Sequence, residues 1–330
     1  MLLTIAIPTY NRAARLRTTL LKHIEQIERA ALTDVEIAVS DNCSTDDTQQ
    51  VCRNLAQAHP DLQLRYFRND SNIGFDGNVN ALFGHARGRY VWTFSDDDDI
   101  SPQALPHVID LLRQRGISFA FINYQVNVDG KIMPSRFGAG PDRWLPSRDL
   151  LKSIHFSNSL ISACIFSRQA WLDANPNRYL GSLWIHFFMA REILQSGESL
   201  IVGQPMFNMI QSGLEQSRSE KRREGSDHIE YYMQAHLKFV EYADELPKFQ
   251  FDRETWTLAQ SIGLREDIYQ VINFKLTAPS YAPRQLVKIW LGLLKYRWST
   301  VRFWCLTTPL LLAPNNSVKA MRTLSRLIRA

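Results

Sequence analysis

The chain has 330 residues, 45% hydrophobic and 22% charged, which excludes a disordered, collagen-like or disulfide-scaffold protein and leaves room for one large or two ordinary domains. The net charge of +5 is unevenly placed: residues 268–330 hold ten Lys and Arg with no Asp or Glu, so residues 1–267 carry −5. A basic tail on an acidic body points to an anionic partner, and no nucleic-acid recognition motif accompanies the charge.

The first half alternates short apolar runs with helical patterns. Leu3–Ile7 reads as a strand that stops at Pro8, and 12–31 follows as a helix. Val35–Val39 is a second strand, ending at Ser40-Asp41, with a helix over 45–58. Ser44 followed by Asp47 has the spacing of a capping box for that helix. Leu64–Phe67, Tyr90–Phe94 and Ser118–Tyr124 are further strands, with helices over 76–87 and 101–114 between them. Strand–helix alternation of this kind implies βαβ units and an α/β fold on a mixed, mainly parallel sheet.

Ligands of such sheets bind at the carboxyl ends of the strands. The polar residues there are Pro8-Thr9-Tyr10-Asn11-Arg12, Ser40-Asp41-Asn42 and Ser95-Asp96-Asp97-Asp98-Asp99. No G-x-G-x-x-G and no G-K-[ST] loop is present, so phosphates are held another way. Four consecutive carboxylates repel one another if unpaired, and a hard divalent cation, Mg²⁺ or Mn²⁺, relieves this with oxygen ligands. The bland alternative is a solvated turn capping the next helix. Asp41 is placed to accept a base N–H or a ribose hydroxyl, or else caps a turn. Gly74, in Asn72-Ile73-Gly74 ahead of Asn78, supplies a positive φ or a close backbone approach.

Farther along, Ser217–Gly225 is polar and basic and reads as a loop, either one in which Arg218, Lys221, Arg222 or Arg223 clamps phosphate or a solvated linker between domains. Residues 227–244, 253–275, 283–298 and 317–329 are helical in pattern. Basic residues there interleave with Trp and Leu, as in an interfacial helix on anionic lipid. The four cysteines form no C-x-x-C pair, which fits free thiols in a reducing compartment. No leader sequence is evident and no apolar run approaches the ~20 residues of a spanning helix. The expected location is cytoplasmic, peripheral to the inner membrane.

Ile5–Arg12, Val39–Thr48, Asn72-Ile73-Gly74 with Asn78, and Phe94–Ile100 resemble, in order, four motifs of the family 2 glycosyltransferases. Phe94–Ile100 supplies the D-x-D pair as Asp96 and Asp98. The resemblance implies a GT-A fold. It divides the chain into a catalytic domain over 1–215, with a donor half over 1–100 and an acceptor half over 101–215. A loop over 216–226 and a basic helical region over 227–330 follow. It implies sugar transfer from a nucleoside diphosphate sugar, inverting at the anomeric carbon. The acceptor would be a glycan, lipid-linked at the cytoplasmic leaflet. Donor-binding positions would be Pro8, Thr9, Tyr10, Arg12, Asp41, Asn72, Gly74, Asn78, Asp96, Asp97, Arg218 and Arg222. Metal ligands would be Asp98 and Asp96, with His186, and catalytic groups His186 and Asp99. Many relatives carry a Glu-Asp pair at the start of an acceptor-side helix. Here Gly181–Phe188 has no acid, and His186 takes roughly that place, a variant that resembles the abequosyltransferase-type branch of bacterial O-antigen enzymes. Two other readings compete: a sugar nucleotidyltransferase, which lacks its Gly-rich loop here, and a non-catalytic protein binding sugar nucleotide or lipid on the same fold.

Overall fold

The computed structural model describes residues 1–211, except 136 and 155–159, together with scattered residues between 287 and 313. The chain forms two compact units, Met1–Ser212 and Gly213–Ala330. In the second, Trp290 donates to the Thr308 hydroxyl at 3.2 Å, and a short helix covers Thr308–Leu312.

The first unit is a ten-stranded mixed sheet with helices packed on it. In chain order it runs β1 (Leu3–Thr9), α1 (Ala13–Arg29), β2 (Val35–Asp41), α2 (Thr48–Ala58), β3 (Leu64–Arg68), α3 (Gly74–His85), β4 (Tyr90–Thr93), β5 (Asp99–Ile100) and α4 (Ala104–Gln114). Then come β6 (Phe119–Val128), β7 (Lys131–Met133), β8 (Arg143–Pro146), α5 (Ser147–Ser153), β9 (Cys164–Ser167), α6 (Arg168–Asp173), α7 (Ile185–Ile193) and β10 (Glu198–Gln211). The sheet order is β3-β2-β1-β4-β9-β6-β10-β5, with β7 beside β6 and β8 beside β10. Strands β3, β2, β1 and β4 pair in parallel, as do β6 and β10, while β9 runs antiparallel between β4 and β6.

β1, β2 and β4 are buried along their whole length, as central parallel strands covered on both faces must be. α1 buries Leu16, Leu20, Ile24 and Ile27, a helical stripe that seats it against the sheet. The other helices of the first half begin and end within about three residues of the sequence expectation, inside the usual uncertainty of helix ends.

Two local expectations are corrected. Pro8 does not end β1, which continues to Thr9 and pairs Pro8 with Ser40. Its missing N–H lies on the β4 side, where the ladder already stops at Ala6 and Thr93, so no bond is lost. Nor do Ser44 and Asp47 form a capping box. α2 starts at Thr48, and it is Asp46 that accepts the Thr48 N–H at 3.1 Å, while Ser44 is drawn to Asn11.

Candidate active site

The turns after β1 and β2 are stitched together. Asn11 and Cys43 sit at positive φ, 52° and 67°, a conformation that Asn tolerates better than most residues. The Asn11 N–H donates to Ser44 Oγ at 2.8 Å, and Asn11 Oδ1 accepts the Thr45 N–H at 2.8 Å. Asp46 accepts the Ala13 N–H at 2.9 Å, closing the seam.

At the end of β2, Asp41 is fully buried. Its Oδ1 accepts the Ser44 N–H at 2.9 Å and its Oδ2 the Tyr66 hydroxyl at 2.6 Å. Burial and that carboxylate push the Tyr66 phenol up. Asn42 reaches Asn72 Oδ1 at 2.7 Å and accepts the Ile73 N–H at 2.9 Å. Gly74 does take a positive φ, 75°, and its carbonyl accepts from Asn42 at 3.3 Å. Asn78 pins the strand ends: it accepts from the Ser40 hydroxyl at 2.7 Å and donates to the Ser40 carbonyl at 2.9 Å. Tyr10, just past the end of β1, is exposed.

The acidic run after β4 does not leave four bare carboxylates, which corrects the premise drawn from the sequence. Asp97 is met by Arg12 at 3.0 Å, Arg15 at 3.4 Å and the Ser95 hydroxyl at 2.5 Å. Asp99 pairs with Lys22 at 2.6 Å, which ties it to α1. Asp96 accepts from Thr9 at 2.7 Å and from Arg12 at 2.9 Å. Asp98 accepts from the Ser162 hydroxyl at 2.5 Å and from the Ile210 N–H at 3.3 Å. Asp96 and Asp98 are only 3% and 4% exposed. Burial raises Asp96 against the pull of Arg12 and Thr9, and it lifts Asp98 to about 7 against its bonds from Ser162 and Ile210.

Two buried carboxylates two residues apart offer the hard oxygen ligands that suit Mg²⁺ or Mn²⁺, which commonly takes one or two carboxylates and completes its shell with substrate oxygens. Among the described residues no group of three or more His, Cys, Asp or Glu is gathered as a cage. His186 therefore does not join Asp96 and Asp98 in a three-residue cluster. It lies in the first turn of α7, 3% exposed, with the Phe75 ring 6.2 Å and the Trp184 ring 6.1 Å away between centroids. Arg218 and Arg222 lie outside the described residues.

One site residue escaped the sequence reading. Asp76, in the first turn of α3, is 2% exposed and accepts the Leu183 N–H at 2.8 Å and the Ile185 N–H at 3.1 Å. Burial raises its pKa while those amides oppose the rise. Only an acid one turn into a helix, within Asn72–Asn78, pointed to it.

The sequence model described as glycosyl transferase family 2 matches residues 4–170, just over half of the chain. The chain belongs to glycosyl transferase family 2. It is 38% identical over 220 residues to the abequosyltransferase RfbV of Salmonella typhimurium, which covers 61% of this chain and 63% of that protein. It is 31% identical over 193 residues to a GalNAc(5)-diNAcBac-PP-undecaprenol beta-1,3-glucosyltransferase of Campylobacter jejuni, covering 56% and 59%. The matched part thus spans about three fifths of these two relatives. Among solved structures, S. aureus TarS 1–349 in complex with UDP-GlcNAc superposes with a TM-score of 0.57 at 14% identity, covering 98% of this chain and 92% of that one. The mannosyltransferase PcManGT of Pyrobaculum calidifontis, in complex with GDP-Man and Mn2+, gives 0.55 at 17% identity, covering 97% and 86%. These likenesses establish the GT-A fold for this family 2 member, and the RfbV match agrees with the resemblance to the abequosyltransferase branch.

Proposed function

We propose that the chain is a metal-dependent glycosyltransferase. It moves a sugar from a nucleoside diphosphate sugar to a hydroxyl of a glycan acceptor, which is carried on a lipid diphosphate in bacterial surface polysaccharide assembly. The observation that carries this reading is the gathering of Thr9 and Arg12 on Asp96 at the carboxyl edge of the sheet, with Asp98, also buried, two residues on. The C. jejuni relative, whose name specifies an undecaprenol diphosphate-linked glycan, supports the lipid-linked acceptor.

In this mechanism the donor lies along the ends of β1 and β2. Thr9, Tyr10 and Asp41 mark the base and ribose end, with Asp41 shaping the Asn42–Asp47 turn through the amide and phenol it holds. Asn72, Gly74 and Asn78 brace that turn from α3. Asp98 and Asp96 would hold Mg²⁺ or Mn²⁺, which supplies a Lewis acid for the departing diphosphate. Arg12, half exposed and shared by Asp96 and Asp97, is positioned to turn a charged donor toward the metal site. Asp99 braces the loop through Lys22. His186 takes the proton of the attacking hydroxyl, the general-base role that histidine fills most often.

A thermal-shift series on the full chain tests this, using CDP, UDP, GDP and dTDP, each with Mn²⁺ or with EDTA. One diphosphate is expected to raise the midpoint only with metal, since a ligand at about 100 times its Kd stabilises by roughly 2.7 kcal/mol. Asp98→Asn is expected to abolish the metal-dependent part. No shift with any diphosphate, or an undiminished shift in Asp98→Asn, overturns the reading.

A further inference from the structure

α7 begins without any cap of its own. Its N-cap is Trp184, no side chain there accepts a helix N–H, and its first turn holds no acid. The first N–H groups of a helix need acceptors, and a buried helix start without them is costly. The preceding segment is also held in an uncommon conformation, with Gly181 at φ 81° and Leu183 at φ 64°. For a leucine this region is strained and persists only where the surroundings impose it.

What imposes it comes from the other half of the unit. Asp76 projects from α3 and takes the N–H of Leu183 on one oxygen and of Ile185 on the other, with the Ser182 hydroxyl 3.3 Å away. Ser182 in turn accepts the Trp184 N–H at 2.9 Å. The same stretch of α3 carries Gly74, tied to Asn42 at the end of β2, and Phe75, whose ring faces His186. A continuous set of contacts therefore runs from the donor-side strand end, through the start of α3, to the first turn of α7.

We infer that Asp76 is the positioning residue of the acceptor side: it supplies from α3 the carboxylate that α7 lacks and sets the segment 181–186, and with it His186, against the donor. This deepens the proposed function and rests on its assignment of His186. Both Asp76 carboxylate oxygens are taken up by the Leu183 and Ile185 N–H groups, so Asp76 engages the loop and not a substrate. It acts through the loop, where a misplacement of about 1 Å can cost on the order of a hundredfold in rate.

The test uses the full chain and the variants Asp76→Asn and Asp76→Ala. Hydrogen exchange is expected to rise in peptides covering 181–187 and nowhere else in the first unit, more for Ala than for Asn, since an amide oxygen still accepts one of the two N–H groups. Affinity for the stabilising nucleoside diphosphate with Mn²⁺ should stay within about twofold. Transfer to an undecaprenyl diphosphate-linked oligosaccharide should fall about tenfold or more, whereas slow hydrolysis of the donor by water should hardly change. A merely structural role would lower hydrolysis and transfer together, and that result overturns the inference. So do unchanged exchange at 181–187 and a loss of diphosphate affinity in Asp76→Asn. If the wild-type chain neither binds a diphosphate nor transfers sugar, the proposed function fails, while the exchange data still show whether Asp76 sets the loop.

Discussion

His23 sits under the acidic run, fully buried on α1, with its Nδ1–H donated to the Thr19 carbonyl at 2.8 Å and its ring edge-on to Phe94. Its Nε2 meets no partner among the described residues. Burial therefore holds its pKa down, to about 4. The unfolded chain takes up the proton near pH 6.5 and the folded chain only near 4, so stability is full above that window and is lost as pH falls through it. The loss attributable to His23 is about 3 kcal/mol. Urea unfolding at pH 7 and pH 4.5 should show a steep acid-side loss in the wild type and a shallower one in His23→Phe; equal slopes would remove His23 as the cause. At this scale Asp41, Asp96 and Asp98 were legible because each lies within a few residues of a strand end, where the fold class puts ligands. Their partners were not. Ser162 lies 64 positions from Asp98 and Leu183 lies 107 from Asp76, and nothing in local spacing announces such pairs. The cations that meet Asp97 and Asp99, Arg12 just before α1 and Arg15 and Lys22 on it, stand 77–85 positions away, which is why the run looked bare.

Elements were legible where a short, mainly apolar run alternates with a helical pattern, as with β1, β2 and β4. The strands after β6 were less so. In β10, Gly203 and Pro205 interrupt the apolar pattern. The strand in fact runs from Glu198, and a register shift between Val202 and Phe207 takes up the break against β6. Close backbone approach also decides the start of β4. A Cβ on Gly88 would lie 2.5 Å from the Thr4 nitrogen and 2.7 Å from both the Leu3 carbonyl carbon and the Tyr90 oxygen, all backbone atoms in or beside the central strands. Those atoms cannot give way as a side chain can. Gly88→Ala is therefore expected to destabilise the chain by about 1–3 kcal/mol, the usual cost of overpacking, or more. Gly88 lies at the amino end of β4, away from the strand ends that build the site, so diphosphate affinity of the folded protein should be unchanged. A urea midpoint equal to that of the wild type would refute the steric argument.

At the scale of the whole chain, the acidic body and the basic tail are properties of one polypeptide, and the partner they imply follows from the chemistry of the tail. The helices expected over 227–244, 253–275 and 317–329 lie outside the described residues. The described residues of the second unit add one fact that charge alone did not give. Val287 and Leu291, four apart and both 52% exposed, are joined by exposed Trp304 and Leu312. Residues four apart on a helix share a face. The sequence of this stretch also carries Arg284, Lys288, Lys295 and Arg302, and apolar and basic residues together have the composition of a segment that rests on anionic lipid, each cation near such a surface being worth about 1 kcal/mol. Among the described residues no helix is long and apolar enough to cross a membrane, so contact of this kind would lie in the interface. The full chain is expected to sediment with phosphatidylglycerol vesicles at low salt and to be released at about 1 M salt, where the screening length falls to roughly 3 Å. Neutral phosphatidylcholine vesicles should retain little. Leu291→Asp removes apolar surface and adds a repelled charge, and should weaken binding to anionic vesicles while leaving the metal-dependent diphosphate shift intact. Equal binding to neutral and anionic vesicles would refute the electrostatic part of the argument, and an unaltered Leu291→Asp would refute the apolar part.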